Sequence, residues 1–166
     1  MRFVGIDPST KTGLVIIDSQ NNIVEACEVT TKVKGDPERF MDISHQVVER
    51  LVRGDVICLE DFSYGSKGSA VSIQFGIGWA IRSELIRQNL VYNTVAPTAV
   101  KKFATGKGNT KKDEMVLPIY KRWGFEHKSD NVRDAFVIAQ IGRALTVDCE
   151  LTGFQKEVIN KIKGEL

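Results

Sequence analysis

The chain has 166 residues, 42% of them hydrophobic, and a formal net charge of +2 at pH 7. This length suits one domain with a single core and leaves no room for a second catalytic domain. The three cysteines lack the CxxC spacing of a zinc or thioredoxin-like site. No apolar run approaches the roughly 18 to 20 residues that span a bilayer, and the first residues are typical of a strand rather than a signal peptide. We therefore expect a cytoplasmic protein with no membrane segment.

Apolar residues in the first part of the chain alternate with a period of two, which predicts strands. Arg2 to Asp7 and Leu14 to Asp18 flank a turn and predict a hairpin, and Ile23 to Thr30 predicts a third strand beside the second. The period then becomes helical, with Asp36 as the expected cap and Pro37 at the first helical position.

Strand and helix patterns alternate in the rest of the chain. Val56 to Leu59 is apolar without alternation, which is typical of a strand buried on both faces. The elements expected after it are a helix over Ala70–Gln88, a strand over Val91–Val95, and helices over Pro97–Ala104, Thr110–Trp123 and Asn131–Leu145. Residues 1–150 are expected to form the domain, and residues 151–166 a helical or loosely ordered tail. This order predicts an α/β fold with a mixed five-stranded sheet flanked by helices.

Acidic residues lie at the ends of several of these elements. Asp7 ends the first strand, Glu60 ends the strand that begins at Val56, and Asp130 and Asp134 open a late helix. A carboxylate beside a core is costly unless a cation or hydrogen bonds compensate it. Asp7 and Glu60 would face each other if their strands are neighbours, and Asp130 and Asp134 share a helix face because they are four residues apart. Two alternatives remain: Asp7 as a turn cap and Asp130 as a helix N-cap.

Such a set of carboxylates, without histidine or cysteine partners, favours Mg²⁺ or Mn²⁺ over zinc. Two such ions can activate a water and stabilise the leaving 3′ oxygen in an in-line attack on a phosphodiester. The candidate ligands of a two-metal site are Asp7, Glu60, Asp130 and Asp134.

A basic segment of the chain is a candidate for binding the phosphate groups on which this chemistry acts. Residues 97–128 contain eight basic and three acidic side chains, which predicts a phosphate-binding face. The alternative is that these lysines are simply solvated on exposed helices. The basic residues are Lys101, Lys102, Lys107, Lys111, Lys112, Lys121, Arg122 and Lys128.

Four motifs together resemble the RuvC family of Holliday junction resolvases, in the RNase H-like superfamily. They are GIDPSTKTG, LEDF, DNVRDA and two lysines eleven residues apart, Lys101 and Lys112. The resemblance covers nearly the whole chain before the tail. It implies an RNase H-like fold, catalysis by Asp7, Glu60 and Asp134, and contacts of the two lysines with the region of the scissile phosphate.

The resemblance also implies a homodimer that cuts opposed strands of a four-way DNA junction symmetrically. An aromatic residue after Glu60 would enter the junction centre, and both Phe62 and Tyr64 are candidates, with core packing as the alternative. The helix over Ala70–Gln88 would form much of the dimer interface, although core packing explains its apolar residues equally well.

One position departs from the family pattern. Bacterial members carry an acidic residue or histidine three residues before the final aspartate, whereas this chain has Asn131 there and Asp130 one residue earlier. Either residue is a candidate fourth ligand. The length and divergence of the chain resemble phage-encoded members, some of which accept branched DNA generally.

Two other functions are compatible with parts of the sequence. A non-catalytic protein of the same fold could bind branched DNA without cutting it. Actin-like phosphotransferases also open with a Gly-Ile-Asp strand and a polar turn, but they need two lobes, and this chain is too short for two.

Overall fold

The structure, a computed structural model, describes residues 1–63 and 68–165. Its elements are β1 (Arg2–Asp7), β2 (Thr12–Asp18), β3 (Ile23–Val29), α1 (Glu38–Val48), β4 (Val56–Glu60), α2 (Ser69–Arg87), β5 (Tyr92–Val95), α3 (Pro97–Thr105), a 3₁₀ helix (Lys112–Met115), α4 (Val116–Trp123), α5 (Asp130–Thr146) and α6 (Gly153–Glu165). The strands form one sheet in the order β3-β2-β1-β4-β5. β1 is antiparallel to β2 and parallel to β4, and β5 is parallel to β4. The α/β fold with a mixed five-stranded sheet is therefore confirmed.

Helices cover both faces of the sheet. Within β1, Phe3 packs with the apolar side chains of α3, α4, α5 and α6, whereas Val4 and Ile6 pack with those of α1 and α2. Cys58 is fully buried in β4, as the sequence predicted. Each fully buried aliphatic or aromatic side chain, such as Phe3, Val4 or Ile6, stabilises the fold by about 1.5 to 3 kcal/mol. The central strands are thus held rigidly between two cores.

Two glycines allow α5 to lie directly on the sheet. A Cβ atom on Gly5 would lie 1.9 Å from the carbonyl oxygen of Ala135, and one on Gly13 would lie 2.1 Å from that of Asn131. Any larger residue would push the helix away, because no side-chain movement can relieve a clash with backbone. The first turns of α5 therefore lie over the edge where β1 ends and β2 begins.

The start of α1 differs from the sequence prediction. The helix begins at Glu38, with Pro37 at the N-cap position and no side-chain cap. Asp36, predicted to cap the helix, instead accepts a hydrogen bond from Nε of Arg39 at 2.8 Å. The carboxylate pairs with a guanidinium instead of the first free backbone N–H groups.

The predicted helix over Thr110–Trp123 is a 3₁₀ helix followed by α4. Pro118 lies in the first turn of α4, the part of an α-helix that tolerates proline. The tail is helical: α6 buries Val158, Ile159 and Ile162 against the α3 and α5 side of the sheet. None of the helices in the described ranges is both long enough and apolar enough to cross a membrane.

Candidate active site

Asp7 and Glu60 lie at the same edge of the sheet. β1 and β4 are parallel with Ile6 opposite Leu59, so the next residue of each strand is an acidic one. Asp7 is only 3% exposed. Burial and the negative charges of Glu60 and Asp134 raise its pKa well above the usual range, and its carboxyl group is within hydrogen-bonding reach of that of Glu60. Burial and the neighbouring negative charges therefore favour a proton held by this pair of carboxyl groups.

Asp134 joins this pair from the first turns of α5. It is 7% exposed, and burial raises its pKa although Lys112 opposes the shift. Burial, followed by the charge of Asp134, raises the pKa of Glu60 to about 7, against the opposing charges of Lys112 and Lys101. Three carboxyl groups therefore share a buried position with too little positive charge to ionise them all at neutral pH.

Lys112 supplies part of the missing charge. Its Nζ lies 2.7 Å from Oδ2 of Asp130 and 3.3 Å from Oδ2 of Asp134. Burial lowers the pKa of Lys112, but the bond to Asp130 and the nearby carboxylates outweigh burial, and the net shift is upward. The same bond holds the pKa of Asp130 below its usual value. Asp130 and Asp134 thus both contact the ammonium group of Lys112, which agrees with the prediction from their spacing that they share a helix face.

The N-cap of α5 is Ser129, whose hydroxyl accepts a hydrogen bond from the backbone N–H of Val132. The same hydroxyl donates to Oε1 of Glu28 in β3 at 2.6 Å. Asp130 is the first residue of the helix, so the alternative in which it serves as the N-cap is wrong, because Ser129 satisfies that position. Its carboxylate is free to face Lys112.

The turn between β1 and β2 is closed by Ser9 and Thr12, not by Asp7. Ser9 N donates to the Thr12 hydroxyl at 3.2 Å, and that hydroxyl donates to the Ser9 carbonyl at 2.6 Å. Nδ2 of Asn131 donates to Ser9 Oγ at 3.2 Å and to the carbonyl of Lys11 at 2.9 Å. Asn131 thereby ties α5 to the turn, and its amide nitrogen already has partners.

The donor set suits a hard divalent cation, because it consists of carboxylate oxygens alone. As the side chains lie, however, no three acidic, histidine or cysteine residues within 1–63 and 68–165 form a group that could hold a metal ion. The ammonium group of Lys112 lies against Asp130 and Asp134. An ion bound by both carboxylates would have to displace it.

The predicted DNA-binding lysines are placed differently from one another. Lys101 in α3 is close enough to Glu60 to lower its pKa. Lys107 and Lys111 are exposed in the segment between α3 and the 3₁₀ helix. Nζ of Lys102 instead pairs with Oε2 of Glu157 in α6 at 2.6 Å. A role for each of them in DNA binding stays a prediction.

The predicted junction-entering aromatics follow β4. Phe62 is 9% exposed, and its ring centroid lies 4.6 Å from that of Phe75 and 5.1 Å from that of Trp79. This packing matches the core alternative, and entry into a junction stays a prediction. Tyr64 lies outside the described residues.

One face of α2 belongs to the core and another is exposed. Ile77, Ile81 and Leu85 are fully buried, whereas Trp79 is 57% and Ile86 65% exposed. The exposed apolar residues are compatible with the predicted dimer interface, which stays a prediction.

Two buried arginines near the site were not identified from the sequence. Arg82 in α2 is 4% exposed and Arg133 in α5 is 8% exposed. Nη1 of Arg133 donates to the carbonyls of His127 at 2.8 Å and Lys128 at 3.2 Å, which holds the chain entering α5. The available signal was an arginine inside an otherwise apolar helical pattern, because such a charge needs buried partners.

The order of strands, with helices on both faces, defines an RNase H-like fold, and buried carboxyl groups lie at the edge shared by β1 and β4. Residues 3–142 match the family model of the crossover junction endodeoxyribonuclease RuvC. The chain therefore belongs to the RuvC family of Holliday junction resolvases, which are metal-dependent nucleases. The expectation of a junction-cutting endonuclease is confirmed at this level.

Solved structures agree on the fold. The chain is similar to the Thermus thermophilus RuvC structure, with a TM-score of 0.68, 20% identity and coverage of 84% of this chain and 91% of that one. It is also similar to T. thermophilus RuvC in complex with a Holliday junction substrate, with a TM-score of 0.66, 19% identity and coverage of 84% and 90%. No curated protein sequence matches the chain.

Proposed function

We propose that the chain cuts four-way DNA junctions with Asp7, Glu60 and Asp134 as its catalytic carboxylates, and that Asp130 is the fourth metal ligand. The observation that carries this proposal is the convergence of Asp7 and Glu60, from adjacent strand ends, with Asp134 from α5. Their raised pKa values mark a site that a divalent cation would stabilise. Asn131 is the weaker candidate for the fourth ligand, because its amide oxygen is a neutral donor, whereas Asp130 offers a charged carboxylate, and its amide nitrogen is bonded to the turn after β1.

The carboxylate oxygens suit Mg²⁺ or Mn²⁺, and two ions per site account best for four acidic residues. When bound, such ions supply Lewis acidity that lowers the pKa of a water and stabilises the leaving 3′ oxygen. Asp7, Glu60, Asp130 and Asp134 would hold the ions, and β1 and β4 fix Asp7 and Glu60 because both strands are buried. In the reaction the water oxygen bonds to phosphorus and loses a proton to solvent, and the bond to the 3′ oxygen breaks, after which this oxygen takes up a proton from solvent to become a hydroxyl.

Lys112 and Lys101 are the proposed contacts with the scissile phosphate. Lys112 already faces the carboxylates, so its ammonium group can move onto a phosphate oxygen and stabilise the charge that develops there. Lys107 and Lys111, both exposed on the same segment, would contact the DNA backbone nearby. Lys102 would contribute less, because it is paired with Glu157.

We further propose that the enzyme is a homodimer and that it nicks two opposed strands symmetrically. The exposed Trp79 and Ile86 on α2 offer apolar surface for a second copy. Branched DNA is the proposed partner, which agrees with the complex of T. thermophilus RuvC with a Holliday junction substrate.

Cleavage of synthetic DNA tests the proposal. Wild-type protein with Mg²⁺ or Mn²⁺ should cut a four-way junction with paired symmetric nicks, and a replication fork and a linear duplex serve as comparison substrates. Asp7→Asn and Glu60→Gln should abolish cleavage while junction binding remains. Asp18→Asn is the matched control, because Asp18 also ends a strand but is partly exposed and accepts hydrogen bonds from its own turn. Wild-type cleavage by Asp7→Asn would refute the catalytic assignment, and binding without any cleavage would support a non-catalytic role.

The lysine roles have a separate test. Lys112→Ala should reduce turnover more than junction binding, because the charge acts at the reacting phosphate. Lys121→Ala, on an exposed part of α4, should at most lower affinity and its dependence on salt. Equal effects of both substitutions on turnover would contradict the distinction.

A further inference from the structure

Arg82, in α2, is a buried cation close to the end of β4, the strand that carries the proposed ligand Glu60. It is 4% exposed and lies next to Ile81, which belongs to the core on this side of the sheet. A guanidinium keeps its charge at any physiological pH, so burying it is costly unless its donors find acceptors. The partners of Arg82 therefore indicate what this charge stabilises.

Two acceptors of Arg82 belong to the chain that leaves β4. Nη2 of Arg82 donates to Oδ1 of Asp61 at 3.0 Å and to the carbonyl oxygen of Glu60 at 3.4 Å. On the other side, the backbone N–H of Asp61 donates to the carbonyl of Val95 at 2.8 Å. The peptide that follows the proposed ligand Glu60 is thus fixed between β5 and a charge from α2.

The next residue is held by the same guanidinium. The Arg82 guanidinium carbon lies 4.1 Å from the centroid of the Phe62 ring, within the range of a cation–π contact. Gly78, one helical turn earlier, makes room for this arrangement, because a Cβ atom there would lie 2.6 Å from Cε1 of Phe62. Nη1 of Arg82 in turn donates to the Gly78 carbonyl at 3.1 Å. Gly78 and Arg82 form a seat for Phe62 on α2.

From these contacts we infer that Arg82 is a positioning residue that sets the direction of the Glu60 carboxylate by clamping residues 60–62 onto α2. This inference rests on the proposed role of Glu60 in metal binding. Arginine suits the task because its planar fork can donate to two acceptors and stack on a ring at once, which a lysine ammonium cannot do. Loss of the clamp frees the backbone just beyond Glu60, although β4 remains paired with β1 and β5.

Mn²⁺ binding to the DNA-free protein, measured by titration calorimetry, provides a readout independent of activity. Arg82→Met keeps much of the apolar stem and removes the donors. The Mn²⁺ dissociation constant should rise on the order of tenfold, as for other residues that orient metal ligands. With a four-way junction, kcat should fall by a similar factor while KM is unchanged. Arg82→Lys should restore part of both losses.

Arg87→Met is the matched control. Arg87 lies on the same helix, but its partner is Glu84 and its side chain is 65% exposed. This variant should bind Mn²⁺ and cleave like the wild type. All proteins are compared by circular dichroism at a temperature at which each is folded.

The inference is overturned if folded Arg82→Met binds Mn²⁺ and turns over like the wild type, even if it melts earlier, because that result describes a purely structural arginine. If Arg82→Met does not fold, Arg82→Lys decides: weaker Mn²⁺ binding supports the role, and wild-type binding overturns it. A wild type that neither binds Mn²⁺ nor cleaves would instead overturn the proposed function, and this inference with it.

Discussion

Glu60→Gln should stabilise the protein at pH 8 in the absence of divalent cations, although it should abolish catalysis. Burial and the charge of Asp134 raise the pKa of Glu60 to about 7, from an ordinary value of 4.5. Ionised Glu60 is therefore worse accommodated in the folded protein than in the unfolded chain. Glutamine has the shape of the protonated acid and never ionises, so it removes this cost.

The direction of the pH dependence follows from the raised pKa. Stability associated with the neutral carboxyl group is fully present below pH 4.5 and is lost as the pH rises through about 7. A difference of about 2.5 pKa units corresponds to about 3 kcal/mol. Partial exposure of Glu60 and its interaction with Asp7 reduce this value, and we expect about 2 kcal/mol at pH 8. For a chain of this length the gain corresponds to about 4 to 8 °C in Tm.

Thermal unfolding in EDTA at pH 4.5 and pH 8 measures the effect. Glu60→Gln should match the wild type at pH 4.5 and exceed it at pH 8. Glu126→Gln, an exposed residue, controls for the loss of one negative charge and should change little at either pH. Addition of Mn²⁺ at pH 8 should stabilise the wild type more than Glu60→Gln, because binding to the folded state alone raises its stability.

The reasoning would be refuted by a Glu60→Gln variant that unfolds at the wild-type temperature, or below it, at pH 8. A gain of equal size at both pH values would also refute it, because that gain could not come from ionisation of Glu60.

Three further predictions concern the same site. Lys112→Ala should bind Mn²⁺ about fivefold more tightly without DNA, because one competing charge at about 4 Å is removed in a wet site; calorimetry showing weaker binding would contradict this. Gly13→Ala should lower the free energy of unfolding by about 1 to 3 kcal/mol and reduce cleavage, since its methyl group would displace α5. The control Gly153→Ala, where the methyl group would meet open space, should leave urea unfolding unchanged. Asp130→Asn should weaken Mn²⁺ binding more than Asn131→Ala does, and the reverse order would make Asn131 the fourth ligand.

The acidic residues of the site could be predicted from the sequence where a local pattern placed them at the end of a strand or on one face of a helix. Asp7 and Glu60 each end an apolar strand, so their meeting at one edge could be predicted on the condition that the two strands are neighbours, and β1 and β4 are indeed paired. The spacing of Asp130 and Asp134 placed both on one helix face without further information.

Other features depended on contacts between distant segments. The N-cap role went to Ser129 instead of Asp130 because Ser129 also bonds to Glu28 in β3. Asp36, by contrast, pairs with a local partner, Arg39, instead of capping the helix start. Short polar side chains have several local partners of similar energy, and only the packed chain selects among them.

The sequence by itself determined the α/β order, the RuvC-type motifs and the acidic residues at the ends of β1, β4 and the start of α5, because periodicity and strand ends are local properties. The tertiary structure alone decided how close these groups come and what balances their charge. Gly5 and Gly13 admit α5 to the sheet, Lys112 lies against Asp130 and Asp134, and Arg82 clamps the chain after Glu60. Burial and charge pairing depend on atoms far apart in the chain, and no local pattern records them.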